Sequence, residues 1–250
     1  MNPFDQAAGP FQPLEDETFR FACHPGIACF NSCCADLNLI LTPYDILCLK
    51  NKLKISSDQF LEKYTETKIE PPRPFPRIQL KMSDKEGKPC PFVSSKGCTV
   101  YEARPGACRI YPLGRGSARG GRQFYFLVKE DHCQGFNEDR LWTVETWQAD
   151  QGLNEHNRIN DQWMEIITSQ KSLGPPEHQM KKMQMFFMSS YNLDKFREFI
   201  FQSPFLKRSI VSPETTEAIK TSDLALLEFS FKWLRFSLFG EKTIHIRGKD

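Results

Sequence analysis

Eight of the nine cysteines fall into two groups along the chain. The stretch "CHPGIACFNSCC" places four of them within residues 23–34, and four more are spread over residues 90–133. Thiolate sulfur is a soft anionic ligand that favours Zn(II), iron and iron–sulfur clusters, and four thiolates complete a tetrahedral site. We predict metal ligation by eight residues, enough for two sites: Cys23, Cys29, Cys33, Cys34, Cys90, Cys98, Cys108 and Cys133. The spacing leaves open which metal is bound and which cysteines share an ion.

The rest of the composition indicates a reducing environment for these thiols. Residues 1–17 carry four acidic side chains and no apolar stretch, so we expect no signal peptide and a cytoplasmic location. In that compartment cysteines do not persist as ordinary disulfides, which favours ligands over bridges. No run of about twenty apolar residues is present, so we expect no membrane partner. The formal net charge of +2 requires no nucleic-acid partner, and we expect none.

The adjacent pair Cys33 and Cys34 constrains the site further. In extended backbone, neighbouring side chains point to opposite faces. If this stretch is extended, the two thiols cannot both be simple ligands of one tetrahedral ion. We therefore expect the pair to serve two sites or a polynuclear centre.

Two short helices are predicted after the first cysteine group. Thr42 and Pro43 signal the start of a helix of about three turns, and Ser56 with Gln59 resembles a capping box that starts a second. Cys48 lies off the apolar stripe of the first helix, and we interpret it as a partly buried hydrophobe rather than a ligand. A short strand, "RIQLKM", follows the proline-rich "EPPRPFP".

The second cysteine group lies among turn residues. Gly97, Pro105 and Gly106 interrupt "CPFVSSKGCTVYEARPGACRIYPL", which is typical of ligand loops. The basic loop "GRGSARGGR" then leads to the strand "QFYFLVKE", and together they predict a small hairpin that delivers Cys133. We interpret the arginines of this loop as solvated rather than as an anion site.

Helical periodicity dominates the chain after residue 136. We predict four or five helices there, with the Met and Phe side chains of the region, including Met180 and Phe186, in the core. His156 and His178 sit on polar helix starts, and we expect both at the surface.

These patterns predict an α+β fold that is mostly α. We expect a loose N-terminal arm over residues 1–19. Residues 20–136 should form a loop-rich cysteine-cluster metal-binding domain with short helices and a small hairpin, followed by a helical region over residues 137–250.

The motifs also resemble a known family. A compact cluster ending in "CC", then "LTPYDI", "CPF" and "GCTVYEARPGACRIYP" are similar, over roughly residues 20–136, to the CxxCxxCC or YkgJ-type cysteine-cluster proteins. The resemblance implies a zinc- or iron-chelating domain. Here five residues separate Cys23 from Cys29 and three separate Cys29 from Cys33, a wider spacing than the family name describes. Flagellin lysine methylases carry a similar cluster, which implies a protein-modifying enzyme as an alternative.

Charged side chains flank the ligand cysteines. Arg104 and Arg109 bracket Cys108 within the family-like motif, and their guanidinium groups would offset the excess negative charge of several thiolates without binding the metal. Solvated surface arginines are the competing interpretation. His24 and His132 each neighbour a cluster cysteine and are alternatives for replacing a thiolate or donating to one.

We therefore expect a metal-binding protein that holds Zn or Fe, with an iron–sulfur cluster as one form of the centre. Two alternatives stay open: an iron–sulfur-dependent redox or protein-modifying enzyme, and a zinc-stabilised interaction module with an unidentified protein partner. The sequence offers no Ser–His–Asp set, glycine-rich nucleotide loop or paired carboxylates, so no catalytic residue is assigned and enzymatic activity stays open.

Overall fold

A computed structural model describes residues 10–14, 16–70, 74–117 and 123–248. The α-helices of these residues are α1 Pro43–Leu53, α2 Ser57–Tyr64, α3 Gly106–Ile110, α4 Val144–Asp150, α5 Leu153–Ile167, α6 Pro176–Tyr191, α7 Leu193–Gln202, α8 Phe205–Arg208, α9 Pro213–Thr221 and α10 Asp223–Phe239. The strands are β1 Phe11–Pro13, β2 Thr18–Arg20, β3 Ile40–Leu41, β4 Thr65–Lys68, β5 Arg77–Leu80, β6 Val93–Ser94, β7 Gly97–Cys98, β8 Leu113–Ser117, β9 Gln123–Val128, β10 Leu141–Thr143, β11 Ser209–Ile210 and β12 His245–Ile246. The expected class, α+β and mostly α, is confirmed.

The chain forms two compact units that alternate along the sequence. The first, here called the cysteine unit, comprises residues 1–37 and 82–157, and the second, the helical unit, comprises residues 38–81 and 158–250. The predicted domain boundaries at residues 20 and 137 stay a prediction.

Small antiparallel sheets frame the cysteine unit. Strand β9 pairs with both β1 and β8, β10 pairs with β2, and β6 pairs with β7. The β8–β9 hairpin confirms the predicted one. Strands β1 and β2 belong to the segment expected to be a loose arm, and their backbone hydrogen bonds to β9 and β10 hold them instead in sheets. Residues 1–9 of that arm lie outside the described residues, as do Arg119 and Arg122 of the basic loop.

An aromatic core fills the cysteine unit. It consists of Phe19, Phe21, Leu113, Trp142, Val144 and Trp147. The Phe21 ring contacts Trp147 edge to face, with 5.7 Å between ring centroids. Each buried indole also finds an acceptor: Trp142 Nε1 donates to the Phe21 carbonyl at 2.9 Å, and Trp147 Nε1 donates to the Ile110 carbonyl at 3.0 Å. Buried indole N–H groups usually find such partners.

The helical unit combines helices with the sheets β3–β5–β4 and β11–β12. The capping box predicted at Ser56 is confirmed, and the helix start predicted at Thr42 is a capping box as well. In each, the cap side chain accepts from the third helical residue, whose own side chain accepts in return. The buried face of α1 includes Leu49, which is fully buried. Among the described helices, none has the length and apolar character that crossing a membrane would need.

A buried ion cluster ties helices of this unit together. The Lys50 ammonium on α1 lies 3.4 Å from an Asp194 carboxylate oxygen and 3.1 Å from one of Asp223. Arg197 also donates to Asp223 at 2.5 Å. Lys50 is only 5% exposed, so these contacts are what make its burial tolerable.

Three expectations for the C-terminal region are wrong in detail. Seven described helices follow residue 136 rather than four or five; one reason is that the Ser222 side chain caps α10 and so separates it from α9. His156 is buried, at 4% exposure, on α5, where Leu153 and Ile159 are buried as well. Met180 is 74% exposed, whereas Phe186 is buried as predicted.

Candidate metal centre

The fold separates the eight predicted ligands from the ninth cysteine. All eight lie in the cysteine unit, whereas Cys48 lies on α1 of the helical unit. None of the nine cysteines, all of which are among the described residues, forms a disulfide. Of the eight predicted ligands, Cys23 and Cys33 are exposed and the other six are partly buried, so these thiols are accessible near the surface of their unit.

Consecutive turns carry the first cysteine group. The Ser32 amide donates to the Cys29 carbonyl at 2.9 Å, and the Cys34 amide donates to the Asn31 carbonyl at 2.9 Å. Asn31 adopts a left-handed conformation, with φ of 70°, which asparagine tolerates better than most residues. The chain around Cys33 and Cys34 is therefore folded, and the extended backbone assumed for this pair is wrong.

The folded backbone brings the two neighbouring thiols together. The Cys34 side chain hydrogen-bonds Cys33, and this bond, outweighing partial burial, lowers the pKa of Cys33. The same bond, together with burial and the charge of Cys33, raises the pKa of Cys34 far above its usual range. Cys33 is thus the member of the pair that ionises first, because its thiolate has a donor next to it.

The segment after Cys133 packs against the start of the first group. The Ala22 amide donates to the Gly135 carbonyl at 3.0 Å, and the Gln134 amide donates to the Cys29 sulfur at 3.2 Å. A Cβ on Gly135 would lie 2.8 Å from the Ala22 carbonyl oxygen and 2.5 Å from the Phe21 ring. Only glycine permits this approach, which places Cys133 beside the first group.

The β6–β7 hairpin approaches the other end of the first group. The Cys90 amide donates to the Cys34 carbonyl at 2.8 Å, and Cys98 of β7 pairs with Val93 of β6. The Asn31 side chain also donates to the Ser94 carbonyl at 3.1 Å. Burial first, and the charge of Cys98 as well, raise the pKa of Cys90. These bonds bring together Cys34 and Cys90, which are about sixty residues apart in the sequence.

Arg109 holds the short helix α3, which carries Cys108. Its guanidinium donates to three carbonyl groups: that of Arg104 at 2.9 Å, that of Gln151 at 2.8 Å, and that of Glu102. Trp147 anchors the end of the same helix through the Ile110 carbonyl. Arg109 therefore acts on the backbone around Cys108 and organises the loop.

Arg104 is placed differently. It is 8% exposed, lies over the Tyr101 ring at 3.7 Å from the centroid, and donates to the Gln151 side chain. Its charge acts to lower the pKa of Cys23. Partial burial and the charges of Cys33, Cys29 and Cys133 outweigh it and raise the pKa of Cys23 to about 11. The charge of Arg104 therefore acts on one of the predicted ligand cysteines.

The two histidines next to cluster cysteines also differ. His24 uses both ring nitrogens, because Nδ1 accepts from the Gly26 amide at 3.1 Å and Nε2 lies 3.3 Å from a Glu138 carboxylate oxygen. In contrast, the charge of His132 acts on Cys33, whose pKa it helps to lower.

The sequence analysis did not single out Tyr111, whose hydroxyl is buried beside the cluster. That hydroxyl has no hydrogen-bond partner of good geometry among the described residues. Burial, and then contact with the Cys133 thiol, raise the pKa of Tyr111 above its usual range. Phe21 packs edge to face on the ring, with 5.8 Å between centroids, and fixes its direction. The position of Tyr111 three residues after Cys108 was the available signal.

The eight thiols of the cysteine unit are ligands of the type that a soft metal ion prefers. Among the described residues, no group of three or more His, Cys, Asp or Glu side chains is arranged to hold a metal ion as it stands. Eight thiols nevertheless share one unit, and the charges of neighbouring cysteines help to raise the pKa values of Cys23 and Cys34. Thiolates in this number suit Zn(II) or iron rather than Mg²⁺ or Ca²⁺.

Comparison with known proteins agrees with this chemistry. The model of the CxxCxxCC family, described as a "putative zinc- or iron-chelating domain", matches residues 22–134, which include all eight clustered cysteines. The resemblance expected from the sequence is confirmed over that segment. No curated protein and no solved structure matches the chain.

Proposed function

We propose that this chain binds zinc or iron through the thiolates of its cysteine unit. The proposed ligands are Cys23, Cys29, Cys33, Cys34, Cys90, Cys98, Cys108 and Cys133. Bound metal would tie together loops that have little regular structure of their own. Thiol ligands of this kind need a reducing compartment, which favours the cytoplasm.

One observation carries the proposal: segments distant in sequence converge so that all eight clustered cysteines share one unit while Cys48 does not. Backbone contacts join Cys34 to Cys90 and the Cys133 segment to Cys29. Unbound thiols gain nothing from such convergence, because mutual repulsion raises the cost of ionising them. A cation among them reverses the sign of that interaction.

The experiment is metal analysis of protein purified without oxygen. We expect tightly held zinc or iron in the wild type and in Cys48→Ala, which removes a thiol of the helical unit as a matched control. A variant lacking Cys33 and Cys34 should lose metal. Wild-type protein that retains neither metal after reconstitution would refute the proposal.

Absorption of the same sample identifies the centre. Brown protein with bound iron and sulfide holds an iron–sulfur cluster, and colourless protein with stoichiometric zinc does not. An iron–sulfur cluster would favour a redox or protein-modifying role, and zinc would favour a structural one.

A further inference from the structure

The contacts around the cysteines form two separate neighbourhoods. In the first, residues 22–29 meet residues 133–138. The Ala22 amide reaches the Gly135 carbonyl at 3.0 Å, and His24 Nε2 lies 3.3 Å from a carboxylate oxygen of Glu138. The Gln134 amide donates directly to the Cys29 sulfur at 3.2 Å. Three cysteines are drawn together here: Cys23, Cys29 and Cys133.

In the second neighbourhood, residues 34–36 meet residues 88–98. The Cys90 amide donates to the Cys34 carbonyl at 2.8 Å, and the Asp36 amide donates to the Lys88 carbonyl at 2.9 Å. The β6–β7 hairpin brings Cys98 to the same place, because its partner Val93 donates to the Cys90 carbonyl at 3.1 Å. Cys108 on α3 lies within electrostatic range of Cys34.

The adjacent pair marks the boundary between the two neighbourhoods. In the first neighbourhood, the charge of Cys33 acts on Cys23, and the charges of Cys133 and Cys33 both act on Tyr111. Cys34 meets the second neighbourhood through its carbonyl, which accepts from the Cys90 amide at 2.8 Å, and the charges of Cys108 and Cys90 act on its thiol. Cys33 is affected by the charge of His132, next to Cys133 in the first neighbourhood. Assigning one to each neighbourhood gives four thiols on both sides, the number that a tetrahedral ion or a cubane cluster takes.

On the basis of the proposed metal-binding function, we infer that the cysteine unit holds two adjacent metal centres with four thiolate ligands each. The first set is Cys23, Cys29, Cys33 and Cys133, and the second is Cys34, Cys90, Cys98 and Cys108. The first set is closed by the chain around Gly135 and the second by the β6–β7 hairpin. The contact between Cys33 and Cys34 keeps the two centres next to each other.

Paired substitutions in zinc-loaded protein test this grouping. Cys23→Ala with Cys133→Ala removes two thiols from one set, and Cys23→Ala with Cys98→Ala removes one thiol from each. Alanine offers no ligand, and both variants lose the same number of cysteines. We expect the first to lose one of two zinc equivalents and the second to lose both, with Cys48→Ala retaining both.

Equal zinc loss in the two paired variants would overturn the grouping. Loss of all zinc on substitution of any one of the eight cysteines would also overturn it, because one polynuclear centre would behave in that way. Wild-type protein that binds no zinc or iron would instead refute the proposed function, so the two failures are distinguishable.

A second measurement needs no substitution and remains decisive if a variant does not fold. In wild-type protein loaded with cadmium-113, each cadmium nucleus couples to the β-hydrogens of its own cysteine ligands. We expect two cadmium resonances, each correlated with the four cysteines of one set. A correlation between one resonance and cysteines of both sets would contradict the assignment.

Discussion

At the residue scale, the side chains around the cysteines differ in whether they act on the thiolates or on the backbone. Arg104 and Arg109 both lie close to Cys108 in the sequence, yet the Arg109 guanidinium donates to three carbonyl groups while the charge of Arg104 acts on Cys23. Guanidinium groups near anionic ligands stabilise the ligand set, and those bound to carbonyls stabilise a loop.

Arg104→Gln should therefore weaken metal binding. Loss of its positive charge makes ionised Cys23 less favourable, and changes of this kind cost about 10- to 100-fold in metal affinity. Competition with a coloured chelator measures the change. Arg104→Lys should restore part of the affinity because it keeps the charge.

Arg115→Gln is the matched control, since this arginine of β8 hydrogen-bonds Gln123 and Asn157. Equal metal affinity in Arg104→Gln and Arg115→Gln would show that the charge of Arg104 has no influence on the centre.

Tyr111→Phe tests a hydrogen bond to the cluster. We expect the buried hydroxyl to donate to the Cys133 thiolate once metal is bound, since it has no other partner of good geometry among the described residues. Losing a bond worth about 1 kcal/mol should lower the reduction potential of an iron centre by tens of millivolts, or shift the charge-transfer band of a cobalt-substituted one to lower energy. Tyr125→Phe, on β9 of the same unit, should leave both unchanged; identical shifts in the two variants would contradict a specific bond.

At the element scale, capping and periodicity in the sequence were enough to predict α1, α2 and the β8–β9 hairpin. These elements depend mostly on local interactions, so their own residues are enough to predict them. The turns around Cys33 and the sheet pairing of β1 and β2 were not predictable in the same way. They depend on partners about sixty and more than a hundred residues away, such as Cys90 for Cys34 and β9 for β1.

The ion cluster of the helical unit is also a product of distant partners, and its effect depends on pH. Burial acts to raise the pKa of Asp223, but the hydrogen bonds from Arg197 and Lys50 prevail and lower it to about 2. A depressed carboxyl pKa contributes stability above the unfolded value of 3.8, and that contribution is lost as the pH falls towards 2.

We expect the free energy of unfolding of the wild type to fall between about pH 4 and pH 2 by roughly 1–2 kcal/mol more than that of Asp223→Asn, allowing for solvent screening of a partly exposed group. Urea denaturation across this range measures it. The same pH dependence in both proteins would show that Asp223 is not the titrating group.

At the scale of the whole molecule, the two units should respond differently to metal removal. The cysteine unit has a small aromatic core and short sheets, whereas the helical unit buries long helices around residues such as Phe186, Phe196 and Leu234. Metal binding is folding free energy where a site is assembled from loops.

A strong chelator should therefore increase amide hydrogen exchange in residues 16–37 and 82–117 and leave that of α6, α7 and α10 within error. Mass spectrometry of peptic fragments locates the change. Exchange that rises equally in both units would mean that the chain unfolds as one body, and unchanged exchange everywhere would mean that metal has no part in folding.

The predicted ligand set stays a prediction, although its eight cysteines do share one unit. The types and spacing of the cysteines identified eight thiols that the fold does gather in one unit, and Cys48 was set apart on its position in α1 alone. The sequence could not predict which of these cysteines lie together, because this depends on the contacts of Gln134 with Cys29 and of Cys90 with Cys34.

We propose that the metal is held by sulfur, with cysteine as its only protein ligand, and X-ray absorption at the metal edge identifies the atoms bound to it. For reconstituted wild-type protein with zinc or iron, the account predicts a first shell of four sulfur atoms per metal at about 2.3 Å, with no nitrogen or oxygen required to fit the data. A first shell dominated by nitrogen or oxygen would contradict it.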